Sequence, residues 1–139
     1  MHTLSIRVYY EDTDHTGVVY HPNYLKFMER GRTEMLRGMG VELDVLQLTH
    51  GVTFAVSEAN IRYAKSAGFN DDLVVESRIA QAKGARMHFI QRILRKSELM
   101  ADADVHLACL GKHGGPVRIP AMILNMLGGE HKKGVTNER

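Results

Sequence analysis

Apolar and polar residues alternate at the start of the chain, with Ile6, Val8 and Tyr10 on one side and Ser5, Arg7 and Tyr9 on the other. This period of two predicts a strand that runs to Glu11. From Pro22 the period lengthens. Tyr24, Phe27, Met28, Gly31, Met35 and Met39 recur at spacings of three and four, and Lys26, Glu29, Arg30, Arg32 and Arg37 fill the positions between them. That pattern predicts an amphipathic helix over about 22–38. Pro22 suits the first helical position, His21 the cap, and Gly38 or Gly40 the stop. After a short irregular or helical segment through His50, four extended stretches follow: Thr53 to Tyr63, Asp72 to Lys83, Arg86 to Arg95 and Met100 to Lys112. Turn residues at Ser66-Ala67-Gly68, Lys83-Gly84 and Lys96-Ser97-Glu98 divide them. In the last stretch Ala101, Ala103, Val105, Leu107 and Cys109 make one apolar row opposite Asp102, Asp104 and His106, so one face of the sheet is core. A short helix from Ile119 to Leu127 closes the pattern. The fold class is therefore α+β, a five-stranded antiparallel sheet covered by one long helix.

Composition narrows this picture. A chain of 139 residues with 44% hydrophobic positions supports a single domain over 1–127, and the glycines and charges of GGEHKKGVTNER predict a flexible tail over 128–139. There is no apolar leader at the start and no run of eighteen apolar residues, which reads as a cytoplasmic protein without an integral membrane segment. Eighteen Lys and Arg against 16 Asp and Glu leave a formal charge of +2, scattered along the chain, which excludes a nucleic-acid binder. Cys109, the single cysteine, lies inside the apolar run VHLACL and reads as a buried, inert thiol.

Candidate chemistry is concentrated in EDTDHTGVVYHPNY, from Glu11 to Tyr24. Carboxylates and imidazoles here adjoin the start of the predicted helix, where unpaired N–H groups and the helix dipole favour negative charge. Asp14 has two readings, a reactive carboxylate or an Asx-turn acceptor. His21 either acts on a substrate or caps the helix. Asp12 reads as a loop brace, Glu11 as a solvated strand end and His15 as loop packing. A metal site built from Asp12, Asp14, His15 and His21 matches no recognised ligand spacing, so neither a metal nor another cofactor is assigned. Glu29 and Glu34, among Arg30, Arg32 and Arg37, read as ion pairs on a solvated or interfacial helix face.

The stretch RVYYEDTDHTGVVYHPNYLKFMERGRTEML resembles the opening of the YbgC-like branch of the hotdog-fold 4-hydroxybenzoyl-CoA thioesterase superfamily. The family pattern is met by Asp14, Gly17, Val18, Val19, Tyr20 and His21. The chain departs from it at His15 and Thr16, where members commonly carry Ala-Gly, and at Pro22. The resemblance implies a sheet wrapped around the long helix, in dimers that pair into tetramers. It also implies hydrolysis of an acyl-CoA thioester with Asp14 as base or nucleophile. Such chemistry needs donors for the developing oxyanion, which the backbone around His21 can supply, and an oxygen nucleophile held opposite. Gly17, Val19, Tyr20 and Tyr24 would line the substrate site, with Phe54 and Val56 beside the acyl group. Lys83, Gly84 and Arg86, a tight basic turn, are the first choice for the CoA phosphates, ahead of Lys65, Lys112 and Arg118. Alternatives are a thioester of acyl carrier protein as substrate, or a non-catalytic hotdog interaction protein at envelope or lipid-synthesis machinery.

Overall fold

The structure, a computed structural model, describes residues 1–127; the tail over 128–139 lies outside the described residues. Strand β1 (His2–Arg7) leads through a 3-10 turn (Tyr10–Asp12) to helices α1 (Asn23–Gly38) and α2 (Leu43–His50). Strands β2 (Thr53–Tyr63), β3 (Asp72–Lys83), β4 (Arg86–Arg95) and β5 (Glu98–Leu110) follow, and residues 121–127 are again helical. All five strands form one antiparallel sheet in the order β1-β3-β4-β5-β2. The α+β class and the strand count match the sequence pattern.

Five details differ from it. Strand β5 runs Glu98–Leu110, two residues earlier at each end than the expected Met100 to Lys112, because Glu98 already pairs with Arg95 of β4. The first strand stops at Arg7, because Asp12 draws the Tyr9 N–H into a turn (2.8 Å to Oδ2) and leaves Tyr9 and Tyr10 62% and 79% exposed. Helix α1 begins at Asn23 with Pro22 as its flanking residue, so His21 stands one position before the cap. The segment before His50 is a regular helix, ended by Gly51 in the left-handed region (φ 67°), so α1 is not the sole helix. Finally, Arg32 is buried rather than solvated.

Packing explains the arrangement. Leu73, Val75 and Ile79 of β3, Met87, Phe89 and Ile93 of β4, and Ala101, Ala103, Val105, Leu107 and Cys109 of β5 point to one face and are buried. Tyr24, Phe27, Met28, Met35 and Leu36 of α1 meet that face, leaning on β1, β3 and β4. Full burial of Phe27 or Phe89 is worth about 1.5–3 kcal/mol each. One polar node sits inside this apolar contact: Gln91, fully buried, donates from Nε2 to the Met28 carbonyl and to Ser77 Oγ, both at 2.8 Å. Its Oε1 accepts from Arg32 Nη1 at 3.0 Å. Helix and sheet approach closely there, since a Cβ added at Gly31 would lie 2.8 Å from Val75 Cγ1 and 2.9 Å from Ser77 Oγ.

Strand β2 forms one edge of the sheet, and eight of its 11 residues are exposed. A long edge of this kind carries a row of unpaired backbone donors and acceptors. On α1, Arg37 pairs with Glu34 at 2.6 Å and with Glu42 at 3.1 Å, in keeping with the ion-pair reading of Glu34.

Because the Gly31 contact leaves no space for a methyl group, Gly31→Ala loses more to overpacking (about 1–3 kcal/mol) than it gains in helix propensity (about 1 kcal/mol). Urea unfolding should give a lower midpoint for Gly31→Ala at unchanged m-value; a midpoint equal to or above wild type contradicts the close approach.

Candidate active site

The loop between β1 and α1 is built by two aspartates with different tasks. Asp12, 6% exposed, accepts from the Tyr9 N–H through Oδ2 and from Asn23 Nδ2 through Oδ1 (2.9 Å), while its carbonyl accepts from the Tyr20 N–H at 2.9 Å. It therefore ties the loop entrance, the loop exit and the first residue of α1 together, the brace read from the sequence. Asp14 opens a tight turn: its N–H donates to the Val18 carbonyl (2.9 Å), and its carbonyl accepts from Gly17 (3.1 Å). Gly17 adopts φ 87°, a conformation that costs glycine little.

The Asp14 carboxylate is held by Thr16. Oδ1 accepts from the Thr16 hydroxyl at 2.6 Å and the Thr16 N–H at 2.8 Å. These bonds favour the charged form and hold the Asp14 pKa below the ordinary carboxylate value, the Thr16 hydroxyl being the largest cause. Asp14 is thus an Asx-turn acceptor and an ionised carboxylate at once. Oδ1 takes both Thr16 bonds, the Val18 N–H adds a weaker pull on the carboxylate, and Oδ2 takes part in neither Thr16 bond.

The helix start differs from the expected row of free donors. The N–H groups of Asn23, Tyr24 and Leu25 are turned back onto the carbonyls of Tyr20, His21 and Pro22 at 2.8, 3.2 and 3.1 Å. Pro22 has no N–H, which leaves that of His21 without an acceptor among the described residues. The His21 ring lies between Tyr20 and Tyr63, with centroids 5.4 and 6.0 Å away, and the Tyr63 hydroxyl donates to the His21 carbonyl at 3.3 Å. No hydrogen bond joins His21 to Asp14.

Of the other candidates, Val19 and Tyr24 are buried. Tyr24 accepts from the Ala67 N–H through its hydroxyl (2.9 Å), and burial pushes its phenol pKa up, so it stays neutral. Tyr20 is 52% exposed beside the loop. The Ala67 loop beneath is pinned by Asp71, whose Oδ2 accepts from the Gly68 N–H and from Arg95 Nη1, both at 2.8 Å.

Lys83, Gly84 and Arg86 line a cavity of about 400 Å³ together with Gln81, Ala85, Met87, His88 and His106. The chain does not bring this cavity to Asp14. Lys83 pairs with Arg86, and Arg86 with Ala108 of β5, whereas Tyr63, which touches His21, pairs with Ala101. From Ala101 to Ala108 the strand rises roughly 23 Å at about 3.3 Å per residue, so the basic turn and the carboxylate loop occupy opposite ends of the sheet. Lys65, at the Asp14 end, pairs with Glu98.

Sequence reading missed a second polar cluster, on the outer sheet face. The His88 and His106 rings stack with centroids 4.2 Å apart, and His88 Nε2 lies 2.8 Å from Asp104 Oδ1, which shares its carboxylate with Arg62. The alternation of Asp102, Asp104 and His106 marked this face as polar, but the pairing partner came from β4. Among the described residues no group of His, Cys, Asp and Glu forms a metal site.

The fold and loop define a class of α+β proteins in which a loop bearing an ionised carboxylate leads into a long helix laid on an antiparallel sheet. The chain belongs to the thioesterase-like superfamily, whose family model matches residues 8–127. It is 43% identical over 120 residues to an acyl-CoA thioesterase, YbgC, of Haemophilus influenzae, covering 85% of this chain and 88% of that protein. It is 39% identical over 106 residues to the acyl-CoA thioester hydrolase YbgC of Escherichia coli O6:H1, covering 76% of this chain and 78% of the relative. A crystal structure of a probable thioesterase from Bartonella henselae superposes with a TM-score of 0.82 at 37% identity, over 86% of this chain and 98% of that one. No helix among the described residues is long and apolar enough to cross a membrane.

Replacing Thr16 with Val removes the hydroxyl donor and keeps the N–H, so the Asp14 pKa should rise toward the ordinary carboxylate value. A titration followed by carboxyl-carbon NMR reads it; an unmoved midpoint would show that the hydroxyl does not hold the charge.

Proposed function

We propose that the chain is an acyl-CoA thioesterase that works as a homodimer, with Asp14 as its reactive carboxylate. The observation that carries this reading is the Asp14 loop itself: Thr16 holds Oδ1 of a partly exposed, ionised carboxylate, while Oδ2 takes part in neither Thr16 bond, and the same loop carries an N–H, that of His21, with no acceptor among the described residues. Thioester hydrolysis needs these two groups. An ionised oxygen attacks the carbonyl carbon or takes a proton from the water that does, and a backbone donor receives the charge that develops on the carbonyl oxygen, an interaction worth about 2.7–4 kcal/mol per donor. The thiolate of CoA is a good leaving group, so His21 acts mainly through its backbone and by framing the site with Tyr20 and Tyr63.

Dimerisation resolves the distance between the loop and the basic turn. Two β2 edges paired antiparallel about a twofold axis place the Thr53 end of one strand beside the Tyr63 end of the other. The Lys83-Gly84-Arg86 turn lies at the first end and the Asp14 loop at the second. One copy then supplies the carboxylate and the second the cations for the CoA phosphates. The joined sheet wraps both α1 helices in a hotdog arrangement, and further pairing to a tetramer leaves this geometry intact. Gly17, Val19 and Tyr24 form the wall behind the thioester, and Phe54 and Val56 face the acyl group.

Asp14→Asn keeps the turn, since an amide oxygen still accepts from Thr16, and should lower free-thiol release from an acyl-CoA panel by orders of magnitude at unchanged circular dichroism. Near wild-type turnover would defeat the assignment, and activity confined to thioesters of acyl carrier protein would move the substrate to that carrier. The two-copy site has its own test. Asp14→Asn mixed with Lys83→Ala/Arg86→Ala should regain activity that neither protein shows alone, because each mixed dimer holds one intact site; no recovery after subunit exchange would return both functions to a single chain.

A further inference from the structure

Between α1 and the β2 edge lies a groove of about 340 Å³ lined by Leu25, Lys26, Glu29, Arg32, Val56, Ala59 and Val105. Its walls are largely apolar and its floor holds a cation. Arg32 is only 8% exposed, yet no salt bridge among the described residues includes it: its one hydrogen bond goes to the neutral Gln91 Oε1. Glu29, on the same helix face, accepts from the Thr33 hydroxyl at 3.2 Å and acts on Arg32 through space, without a hydrogen bond to it. A guanidinium carries five N–H donors, and a buried charge without a hydrogen-bonded counter-charge is costly. Gln91 has no freedom to turn away, because both Met28 and Ser77 hold its amide nitrogen. The guanidinium is therefore fixed in place with donors to spare.

Leu25, Glu29 and Arg32 fall at i, i+4 and i+7 on one stripe, a span of roughly 10 Å along the helix at about 1.5 Å per residue. Side chains on a helix lean toward its N-terminus, which brings the Arg32 head group back toward the loop that carries Asp14. The groove thus extends from Leu25, in the first turn of the helix, past apolar walls to Arg32.

We propose that this groove takes the acyl group and that Arg32 selects acyl groups ending in a carboxylate, the half-thioesters of dicarboxylic acids. The inference rests on the thioesterase reading and adds the substrate class to it. Lys26, Glu29 and Arg32 together give the groove one net positive charge, and a planar carboxylate matches the guanidinium fork. The apolar walls accommodate the methylene chain between the two ends.

The test compares acyl-CoAs from butanoyl to octanoyl with their ω-carboxyl counterparts, followed by free-thiol release. Wild type should favour the ω-carboxyl member at matched length. In Arg32→Gln the ratio of the two kcat/KM values should fall about 10- to 100-fold, the usual worth of a hydrogen bond to a charged group, and Arg32→Lys should fall between them. A wild-type preference for methyl-ended chains at every length overturns the proposal. So does an equal fall in both series together with loss of the dimer on size exclusion, which would give the place to a carboxylate from the second copy. Hexanedioate added to wild type supplies a readout independent of turnover and of the variant's folding: it should raise Tm where hexanoate does not. If neither series releases thiol, the thioesterase reading fails, and the hexanedioate shift still decides whether the groove takes a carboxylate.

Discussion

The position of α1 on the sheet rests on one buried contact, where Gly31 lets the helix backbone close on Val75 and Ser77 and Gln91 bridges the two layers. A side chain at Gly31 would hold the layers apart. An apolar residue at 91 would leave the Met28 carbonyl free to choose other partners and Arg32 with no fixed orientation. Through this contact the interior sets where the helix starts and which way it points, and Asp12 passes that information to the loop by holding Asn23, Tyr9 and Tyr20 together. The loop that carries Asp14 is thus positioned by the core.

That construction divides stability from chemistry. Asp12 is buried and has both oxygens engaged, whereas Asp14, two residues later, is partly exposed and gives only Oδ1 to the Thr16 turn. Thr16 holds the charge on Asp14 without burying it. The opposite ends of the sheet also carry opposite charges, a carboxylate loop at one and a basic turn at the other, and the proposed two-fold pairing along β2 would bring them to one ligand. A single chain folds without needing that encounter; a site for a long, bipolar thioester does need it.

Much of the fold could be read from the chain because the ends of β2, β3 and β4 fall where the breakers stand, even though each of these strands pairs through a ladder carrying a register shift that periodicity does not show. The first strand misled at Tyr9 and Tyr10, apolar enough to continue the pattern but drawn into a turn by a hydrogen bond to Asp12 that periodicity does not register. The Asx-turn reading of Asp14 holds, and the turn uses Oδ1 alone, which leaves the proposed reactive role to the rest of the carboxylate. Arg32 escaped because a charged residue between apolar ones counts as a solvated position; its burial becomes visible only beside Gln91, a polar residue in the inward row of β4. The separation of Lys83 from Asp14 was missed for another reason: a cation's fitness for phosphate is local, while its distance from the carboxylate depends on strand direction.

The central claim is that the Asp14 carboxylate and the His21 amide of one copy meet a ligand whose anionic end is held by the other copy. A structure of the dimer with an unreactive thioether analogue of an acyl-CoA tests it most directly. The account places the analogue's acyl-bearing carbon between Asp14 Oδ2 and the His21 N–H, and its phosphates at Lys83 and Arg86 across the β2 seam. An analogue bound within one chain, or seated away from the loop before α1, would contradict it.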